Sequence, residues 1–286
     1  MSSFEVVDAA GIELGEHPVW DPGGERVGWV DVFAGELRWV ADGAATCWRF
    51  PAPLGAVAVR ESGGVVAAAG DGIHFRDGDG RTDRTPVTGL LPQGVRFNDA
   101  ACDPVGNFLC GTTSLDAERG LGSLYRVSPD GEVETLASGI TESNGLAWSH
   151  DGGTLYYVDS GEPAVRRYRY DAGSIPQREQ DLCVVPDGHG VPDGICIDAD
   201  GAVWVGIWEG GALWRVSPDG ELLDVIDAPV SRPTCPGFGG PGLAQLFVAT
   251  AWEGMDEAAR GAEPWAGHLL ACQPDVPGAP APRFAG

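Results

Sequence analysis

A short phrase, in which a glycine-containing turn leads into an apolar strand, recurs six times along the chain. The copies begin at Asp21, Glu61, Asp103, Ser149, Asp198 and Gly239, at intervals of 40, 42, 46, 49 and 41 residues. Intervals of this length are typical of a propeller blade built from four antiparallel strands. A β-sandwich or a pair of small barrels is the alternative, but neither explains six copies at this period. The repeat therefore predicts an all-β fold, a six-bladed β-propeller.

The repeat extends over nearly the whole chain, and no change in composition marks a boundary within it. We therefore expect one propeller domain over residues 1–286. A strand at about Phe4 to Asp8 is expected to complete the last blade and close the ring. The Pro- and Ala-rich end of the chain, residues 273–286, is predicted to be a loose terminal segment.

The charge of the chain narrows the range of its partners. There are 42 Asp and Glu residues against 18 Lys and Arg, and the formal net charge is -24. Such a surface repels phosphate backbones, so DNA and RNA are not expected as partners. No apolar run is long enough to span a membrane, and the first residues lack the features of a secretory signal. We expect a cytoplasmic monomer or weak homo-oligomer that acts on a small molecule, with no membrane partner.

One position in each repeat, five residues before the phrase begins, carries a carboxylate or a carboxamide in four of the six copies. The position holds Glu16, Ala56, Asn98, Asn144, Asp193 and Thr234. Equivalent positions of a closed propeller face the same central axis. We therefore expect the acidic and amide side chains to converge on one mouth of the central channel, as a ring of oxygen atoms.

This ring of oxygen atoms predicts a bound cation. Two carboxylates and two amides without a nearby lysine would repel one another unless a cation binds them. Hard cations prefer oxygen ligands, so Ca²⁺ is our first expectation, with Mg²⁺ and Mn²⁺ as alternatives. Zn²⁺ could bind through the same oxygens, but the ring positions contain no His or Cys to favour it. Asn and Asp also cap turns in β proteins, which explains any one of these residues but not all four at a matched position.

Several segments, in order along the chain, resemble the senescence marker protein, gluconolactonase and regucalcin family. The matching segments are LGEHPVW from Leu14, RFNDAACDPVGNFLCGT from Arg96, SNGLAWSHDGGTLYYVDS from Ser143, VPDGICIDADGAVWVG from Val191, FGG from Phe238 and FAG from Phe284. The resemblance implies a six-bladed propeller that binds one divalent cation. Many members of the family hydrolyse sugar lactones, so the resemblance also implies lactonase activity.

The resemblance assigns roles to individual residues of the mouth. Glu16, Asn144 and Asp193 stand at the positions of the family's metal ligands, and Asp193 is also implied as the general base. Asn98 stands where the family contacts substrate or adds a ligand, and we favour the substrate contact. The implied substrate-binding residues are then Arg96, Asn98 and Asp99.

The chain departs from the family pattern at two places in this region. His17 stands where relatives usually carry a small residue, and its ring could contact substrate or pack, of which we favour packing. The loop from Ser114 to Leu121 is short, and relatives place a substrate-gripping acid there. Asp116 and Glu118 are both candidates for that acid, and the sequence does not choose between them.

Two parallel WEG phrases, at Trp208 and Trp252, follow strands of the fifth and sixth blades. Their rings could stack on a sugar or pack within the fold. No G-x-S-x-G elbow is present, so the sequence does not predict a serine hydrolase.

The function predicted first is a divalent-metal-dependent hydrolase that opens a sugar lactone or a related small lactone. Because a fold does not determine a reaction, two alternatives stay open. The same metal-binding propeller could hydrolyse or cyclise a specialised metabolite. It could also be a non-enzymatic calcium-binding or interaction protein.

Overall fold

Six sheets of four antiparallel strands make up the structure, a computed structural model that describes residues 3–286. The first strand of each sheet contacts the first strand of the next sheet, and the sixth contacts the first. The six first strands therefore form a closed ring around a central axis. The predicted six-bladed β-propeller is confirmed.

The strands of the first three blades follow one another in the chain. Strand β1 (Glu5–Asp8) comes first and belongs to the last blade. Blade 1 contains β2 (Gly15–Asp21), β3 (Arg26–Asp31), β4 (Glu36–Ala41) and β5 (Ala44–Arg49). Blade 2 contains β6 (Leu54–Val59), β7 (Val65–Ala69), β8 (Gly72–Arg76) and β9 (Thr82–Val87). Blade 3 contains β10 (Val95–Cys102), β11 (Phe108–Ser114), β12 (Gly122–Val127) and β13 (Val133–Ile140).

The remaining blades contain the only helical turns of the described chain. Blade 4 contains β14 (Ser143–Trp148), β15 (Thr154–Asp159), β16 (Ala164–Arg169) and β17 (Gln177–Val184). Blade 5 contains β18 (Val191–Ile197), β19 (Val203–Trp208), β20 (Ala212–Val216) and β21 (Leu222–Asp227). Blade 6 contains β22 (Pro233–Gly239), β23 (Gln245–Thr250) and β24 (Leu269–Cys272), with a 3₁₀ turn at Pro241–Leu243 and the helix α1 (Glu257–Ala262). Among residues 3–286, no helix is long and apolar enough to cross a membrane.

The ring is closed by strands from the two ends of the chain. Strand β1 pairs with β24, with Glu5 opposite Ala271 and Val6 opposite Leu270. This pairing confirms the expectation that a strand near Phe4 to Asp8 completes the last blade. Residues Met1 and Ser2 lie outside the described part of the chain.

The hydrophobic core lies between neighbouring blades. Inner strands are covered on both faces, so β6 and β7 are buried at every position, whereas most residues of β5 and β21 are exposed. One core cluster, for example, joins Leu37 and Trp39 of blade 1 to Leu54 and Val57 of blade 2. This stacking explains why the sequences of β6 and β7 are continuous apolar runs instead of alternating ones.

The C-terminal segment, residues 273–286, is held against the ends of two inner strands. The backbone N–H of Ala279 donates to the carbonyl oxygen of Ile197 at 3.1 Å, where β18 ends. The N–H of Phe284 donates to the carbonyl oxygen of Val59 at 3.0 Å, where β6 ends. Blades 5 and 2 lie on opposite sides of a six-membered ring, so the segment crosses the end of the channel away from the predicted site.

The side chain of Phe284 anchors this segment. It is fully buried, with its ring centroid 5.1 Å from that of Phe75 and 6.5 Å from that of Phe108. The expectation of a loose end is therefore wrong. Its Pro- and Ala-rich composition suggested disorder, but backbone hydrogen bonds and one buried aromatic ring are enough to hold the segment in place.

Candidate metal and substrate site at one channel mouth

The inner strand of every blade is irregular at the predicted ring position. The register between the first and second strands shifts at this point in all six sheets, around Glu16, Ala56, Asn98, Asn144, Asp193 and Thr234. A bulge leaves residues unpaired and re-aims their side chains. The repeated bulge therefore turns the same position of each blade toward the end of the channel.

Two glycines allow the inner strands to approach closely beside the ring. A Cβ atom on Gly145 would lie 2.7 Å from the backbone nitrogen of Ile195 in the next blade. A Cβ on Gly194 would lie 2.4 Å from the sulfur of Cys235, again one blade further. The Asn-Gly and Asp-Gly pairs at these positions thus mark bulges at close approaches of the chain, not hairpin turns.

The two ring amides form one hydrogen-bonded network. The Nδ2 of Asn98 donates to the Oδ1 of Asn144 and to the carbonyl oxygen of Ser143, both at 2.8 Å. Arg96 donates to the Oδ1 of Asn98 at 2.6 Å, and the Nδ2 of Asn144 donates to the hydroxyl of Ser160 at 2.8 Å. Asn98 therefore links Arg96 to Asn144, while the Oδ1 of Asn144 keeps a second lone pair for a ligand.

Asp193 is a buried acid with an unsatisfied oxygen. Its exposed fraction is 5%, and its Oδ1 has no hydrogen-bond partner among the described residues. Burial, reinforced by the negative charge of Glu16, raises the pKa of Asp193 well above its ordinary value, whereas Arg96 acts in the opposite direction. A desolvated carboxylate without donors is costly, so this position requires a proton or a cation.

Glu16 is a second acid of the mouth, partly buried, and it accepts a hydrogen bond from the backbone of His17. Burial raises the pKa of Glu16 well above its ordinary value, the charge of Asp99 adds to this effect, and Arg96 opposes it. A narrow cavity beside Glu16 is lined by Glu16, Gly55, Asn98, Asp99 and Asn144. The two acids and the free lone pair of Asn144 thus offer a set of hard oxygen donors.

The other two ring positions offer no such donors. Ala56 is apolar and fully buried, and the hydroxyl of Thr234 donates to the carbonyl oxygen of Gly15 at 2.7 Å. Their blades therefore leave the ring asymmetric, with its oxygen atoms on blades 1, 3, 4 and 5.

His17 and Cys235 lie beside the ring, although neither occupies a ring position. The ring of His17 contacts Asp99 and the carbonyl oxygen of Val57, each at 2.7 Å. One candidate ligand atom each from His17, Asp99 and Cys235 lies within 4.8 Å of the other two. Burial raises the pKa of the Cys235 thiol well above its ordinary value, and both nitrogens of His17 are already hydrogen-bonded. The oxygen set fits a cation better than this trio.

Two further acids, which the repeat did not indicate, lie near Arg96 at the mouth. Burial lowers the pKa of Arg96, while the negative charges of Glu142 and Glu253 favour its protonated form. Glu142 lies two residues before Asn144, and Glu253 is in the second WEG phrase. Neither acid falls on the repeated position, so only their proximity in space connects them to the site.

The two tryptophans of the WEG phrases pack within the protein. The guanidinium of Arg232 lies 5.1 Å from the ring centroid of Trp208, and that of Arg260 lies 3.9 Å from the ring of Trp252. One face of each ring is therefore covered by an arginine. An open depression of about 650 Å³ beside Trp252 and α1 lies outside the ring of oxygens and includes none of its members.

The short loop after β11 does not bring an acid to the ring. Asp116 and Glu118 are both exposed. Within residues 3–286, neither side chain forms a hydrogen bond or ion pair with a ring residue. Their predicted role as substrate-gripping acids gains no support from their positions.

Comparison with known proteins places these features in a family. Residues 14–252 match the family described as SMP-30/Gluconolactonase/LRE-like region. A 6-deoxy-6-sulfogluconolactonase of Pseudomonas putida is 34% identical over 96% of this chain and 95% of its own length. A pentonolactonase of Haloferax volcanii is 34% identical over 88% of this chain and 86% of its own. The crystal structure of a calcium-binding protein, regucalcin, from Agrobacterium tumefaciens superposes with a TM-score of 0.93 at 30% identity, covering 100% of this chain and 98% of that one.

Proposed function

The chain belongs to the SMP-30/gluconolactonase/LRE-like family, and on this premise we propose that it is a divalent-metal-dependent lactonase that opens a sugar lactone or a related small lactone. The lactonase activity is supported by relatives that are named for hydrolysing lactones. The metal dependence is carried by one observation, the unpartnered Oδ1 of buried Asp193 beside Glu16. We further propose that the protein acts in the cytoplasm, as a monomer or weak homo-oligomer.

The residues that would hold the ion are Glu16, Asn144 and Asp193. Their donor atoms are two carboxylates and one amide oxygen, and both carboxylates lack a neutralising partner of their own. This donor set fits Ca²⁺ first and also suits Mg²⁺, Mn²⁺ or oxygen-ligated Zn²⁺. The description of the Agrobacterium tumefaciens regucalcin as a calcium-binding protein supports the same order.

A bound divalent ion would polarise the lactone carbonyl and stabilise the negative charge that develops on its oxygen. Asp193 would accept a proton from the attacking water, whose oxygen bonds to the carbonyl carbon while the ring C–O bond breaks. The released alkoxide takes up a proton, and the product is an open-chain hydroxy acid. Hydroxyl or ring oxygens of the substrate would accept hydrogen bonds from Arg96, which Asn98 holds in position. Asn98 and Asp99, the latter in contact with His17, would also bind the substrate at this site.

This function is tested by removing and restoring the ion. Protein treated with a chelator should lose hydrolysis of sugar lactones and regain it when Ca²⁺, Mn²⁺, Mg²⁺ or Zn²⁺ is added. Binding of each ion is measured independently by calorimetry, so that occupancy and turnover can be compared. Lactone hydrolysis that survives complete removal of the ion, or a broad lactone panel without any turnover, would contradict the proposal.

A second candidate function keeps the ion and changes the reaction to the hydrolysis or cyclisation of a specialised metabolite. The observation that favours it is the imidazole of His17, which is held inside the mouth by two hydrogen bonds. Efficient turnover of simple sugar lactones would count against this candidate.

A further inference from the structure

The imidazole of His17 connects three neighbouring blades. His17 belongs to β2, its Nδ1 lies 2.7 Å from the Oδ1 of Asp99 in β10, and its Nε2 lies 2.7 Å from the carbonyl oxygen of Val57 in β6. These contacts join residues that are 82 and 40 positions apart in the chain. Both ring nitrogens are therefore occupied by partners from other blades.

The two contacts of His17 are to a neutral acceptor and to a charged one. Carbonyl and carboxylate oxygens only accept hydrogen bonds, so the Nε2 of His17 donates to Val57 and its Nδ1 donates to Asp99, with a proton on each ring nitrogen. The Oδ1 of Asp99 is in contact with the Nδ1 of His17 and also accepts the backbone N–H of Ala100 at 2.7 Å. The contacts at Oδ1 therefore turn this oxygen toward His17 and the backbone.

The backbone of His17 directs its ring toward these partners. His17 has a φ of 53°, in the left-handed region, and lies in the bulge between Glu16 and Val19. Few residues other than glycine adopt this backbone conformation, although His, Asn and Asp do so more often than most. The bulge thus places Glu16 and His17 side by side, one as a ring residue and the other as a tie to the next two blades.

Asp99 offers a third carboxylate beside the ring. It lines the same cavity as Glu16, it is 8% exposed, and its charge acts on both Glu16 and Asp193. We propose that His17 is a positioning residue which, by holding the carboxylate of Asp99, limits the carboxylates that face the cation to two, those of Glu16 and Asp193. This inference rests on the cation of the proposed function. Two carboxylates neutralise a divalent ion, whereas a third would favour a trivalent one.

The test compares two variants that each keep one of the two contacts. In His17→Asn, the side-chain amide lies near the former Nδ1 and can still donate to Asp99. In His17→Gln, the amide lies near the former Nε2 and can still donate to Val57. Affinities for Ca²⁺ and for Tb³⁺, a trivalent ion that also prefers oxygen ligands, are measured on each purified protein by calorimetry and by Tb³⁺ luminescence.

We expect the ratio of Tb³⁺ affinity to Ca²⁺ affinity to rise about tenfold in His17→Gln, because one more carboxylate becomes free to face the ion. The ratio should stay within about twofold of the unaltered protein in His17→Asn. Adding Asp99→Asn to His17→Gln should bring the ratio back to its original value. Asp99→Asn alone should have a Ca²⁺ affinity within about threefold of that of the unaltered protein. If His17→Gln does not fold, this variant alone tests whether the carboxylate of Asp99 is kept from the ion.

Several results would overturn the proposal. An unchanged ratio in folded His17→Gln would show that His17 does not control the number of carboxylates. A loss of Ca²⁺ affinity of tenfold or more in Asp99→Asn alone would show that Asp99 already binds the ion. A thiolate charge-transfer band on adding Co²⁺ would show that His17, Asp99 and Cys235 bind an ion themselves. If the unaltered protein binds neither Ca²⁺ nor Tb³⁺, the metal dependence of the proposed function fails together with this inference, a pattern distinct from the other three.

Discussion

Asp193 and Asp198 are buried acids at opposite ends of the same strand, β18. Asp193 is 5% exposed and lies in the bulge near its start, whereas Asp198 is fully buried and directly follows its end. The carboxylate of Asp198 accepts hydrogen bonds from two backbone N–H groups, from the indole of Trp204 at 3.0 Å and from Arg215 at 2.6 Å. The Oδ1 of Asp193 accepts none from the described residues.

The same contrast separates the two mouths of the channel. On the side of Asp198, Asp103 is also fully buried and accepts hydrogen bonds from Asn107 and from the hydroxyl of Tyr170 at 2.6 Å. The C-terminal segment crosses that side. On the other side, the Oδ1 of Asp193 has no donor among the described residues, and burial raises the pKa of both Glu16 and Asp193. A buried acid surrounded by donors stabilises the fold, whereas one left without donors is available to a ligand.

The largest effect expected from this contrast is a loss of turnover when Asp193 is substituted. In Asp193→Asn, we expect kcat at saturating metal to fall by a factor of about 10³, because a ligand and the general base are both lost. The free energy of unfolding without metal should stay unchanged or rise, since an unpaired buried charge is removed. Steady-state kinetics, metal analysis and urea denaturation measure the three quantities. If turnover falls only in proportion to metal occupancy, the non-enzymatic cation-binding alternative is favoured over the enzyme.

At the other end of β18, the expected effect is on stability. Asp198→Ala leaves Arg215 and the indole of Trp204 without their shared acceptor, so the free energy of unfolding should fall by about 3 kcal/mol. Turnover per folded molecule should remain within about twofold of the original. Asp200→Asn is the matched control, because Asp200 contacts the same arginine from an exposed position and should cost less than about 1 kcal/mol. Equal losses of unfolding free energy in Asp198→Ala and Asp200→Asn would contradict the stabilising role assigned to the buried acid at this mouth.

The smallest expected effect is on the pH dependence of stability. The pKa values of Glu16 and Asp193 are raised in the metal-free folded protein. The folded protein therefore binds more protons than the unfolded chain at pH values between the ordinary carboxyl pKa of about 4 and the raised folded pKa values. Stability therefore falls as pH rises through this range, by up to about 1.4 kcal/mol per pH unit for each group. Saturating Ca²⁺ should flatten the slope, because the ion replaces the protons. Urea denaturation at a series of pH values, with and without Ca²⁺, checks this, and a metal-free slope of the opposite sign would contradict it.

Much of the fold was predictable because its information is local and repeated. The turn and strand phrases at Asp21, Asp103 and Asp198 specify one blade each, and six blades at a constant period leave few folds other than a propeller. The matched positions also brought Glu16, Asn144 and Asp193 together, since equivalent residues of a closed ring face one axis. The roles of these residues as ligands and base remain predictions.

Other features of the mouth depend on contacts between distant segments. The contact of His17 with Asp99 spans 82 residues, and Cys235 lies beside His17 only because blade 6 closes against blade 1. Glu142 and Glu253 approach Arg96 from two further blades. None of these residues occupies the repeated ring position. The family resemblance indicated Arg96 and Asp99, but no local pattern indicated the contacts that these residues make.

By itself, the sequence determined the number of blades and which position of each blade faces the channel, because turn chemistry and strand periodicity act over a few residues. Only the tertiary structure decided which buried acids have donors. Asp193 and Asp198 are the same residue type, five positions apart, each followed by a small residue. What separates them is the set of groups around each carboxylate. Closure of the ring brings groups of other blades to Asp193, whereas the donors to Asp198 come from adjacent strands of its own blade.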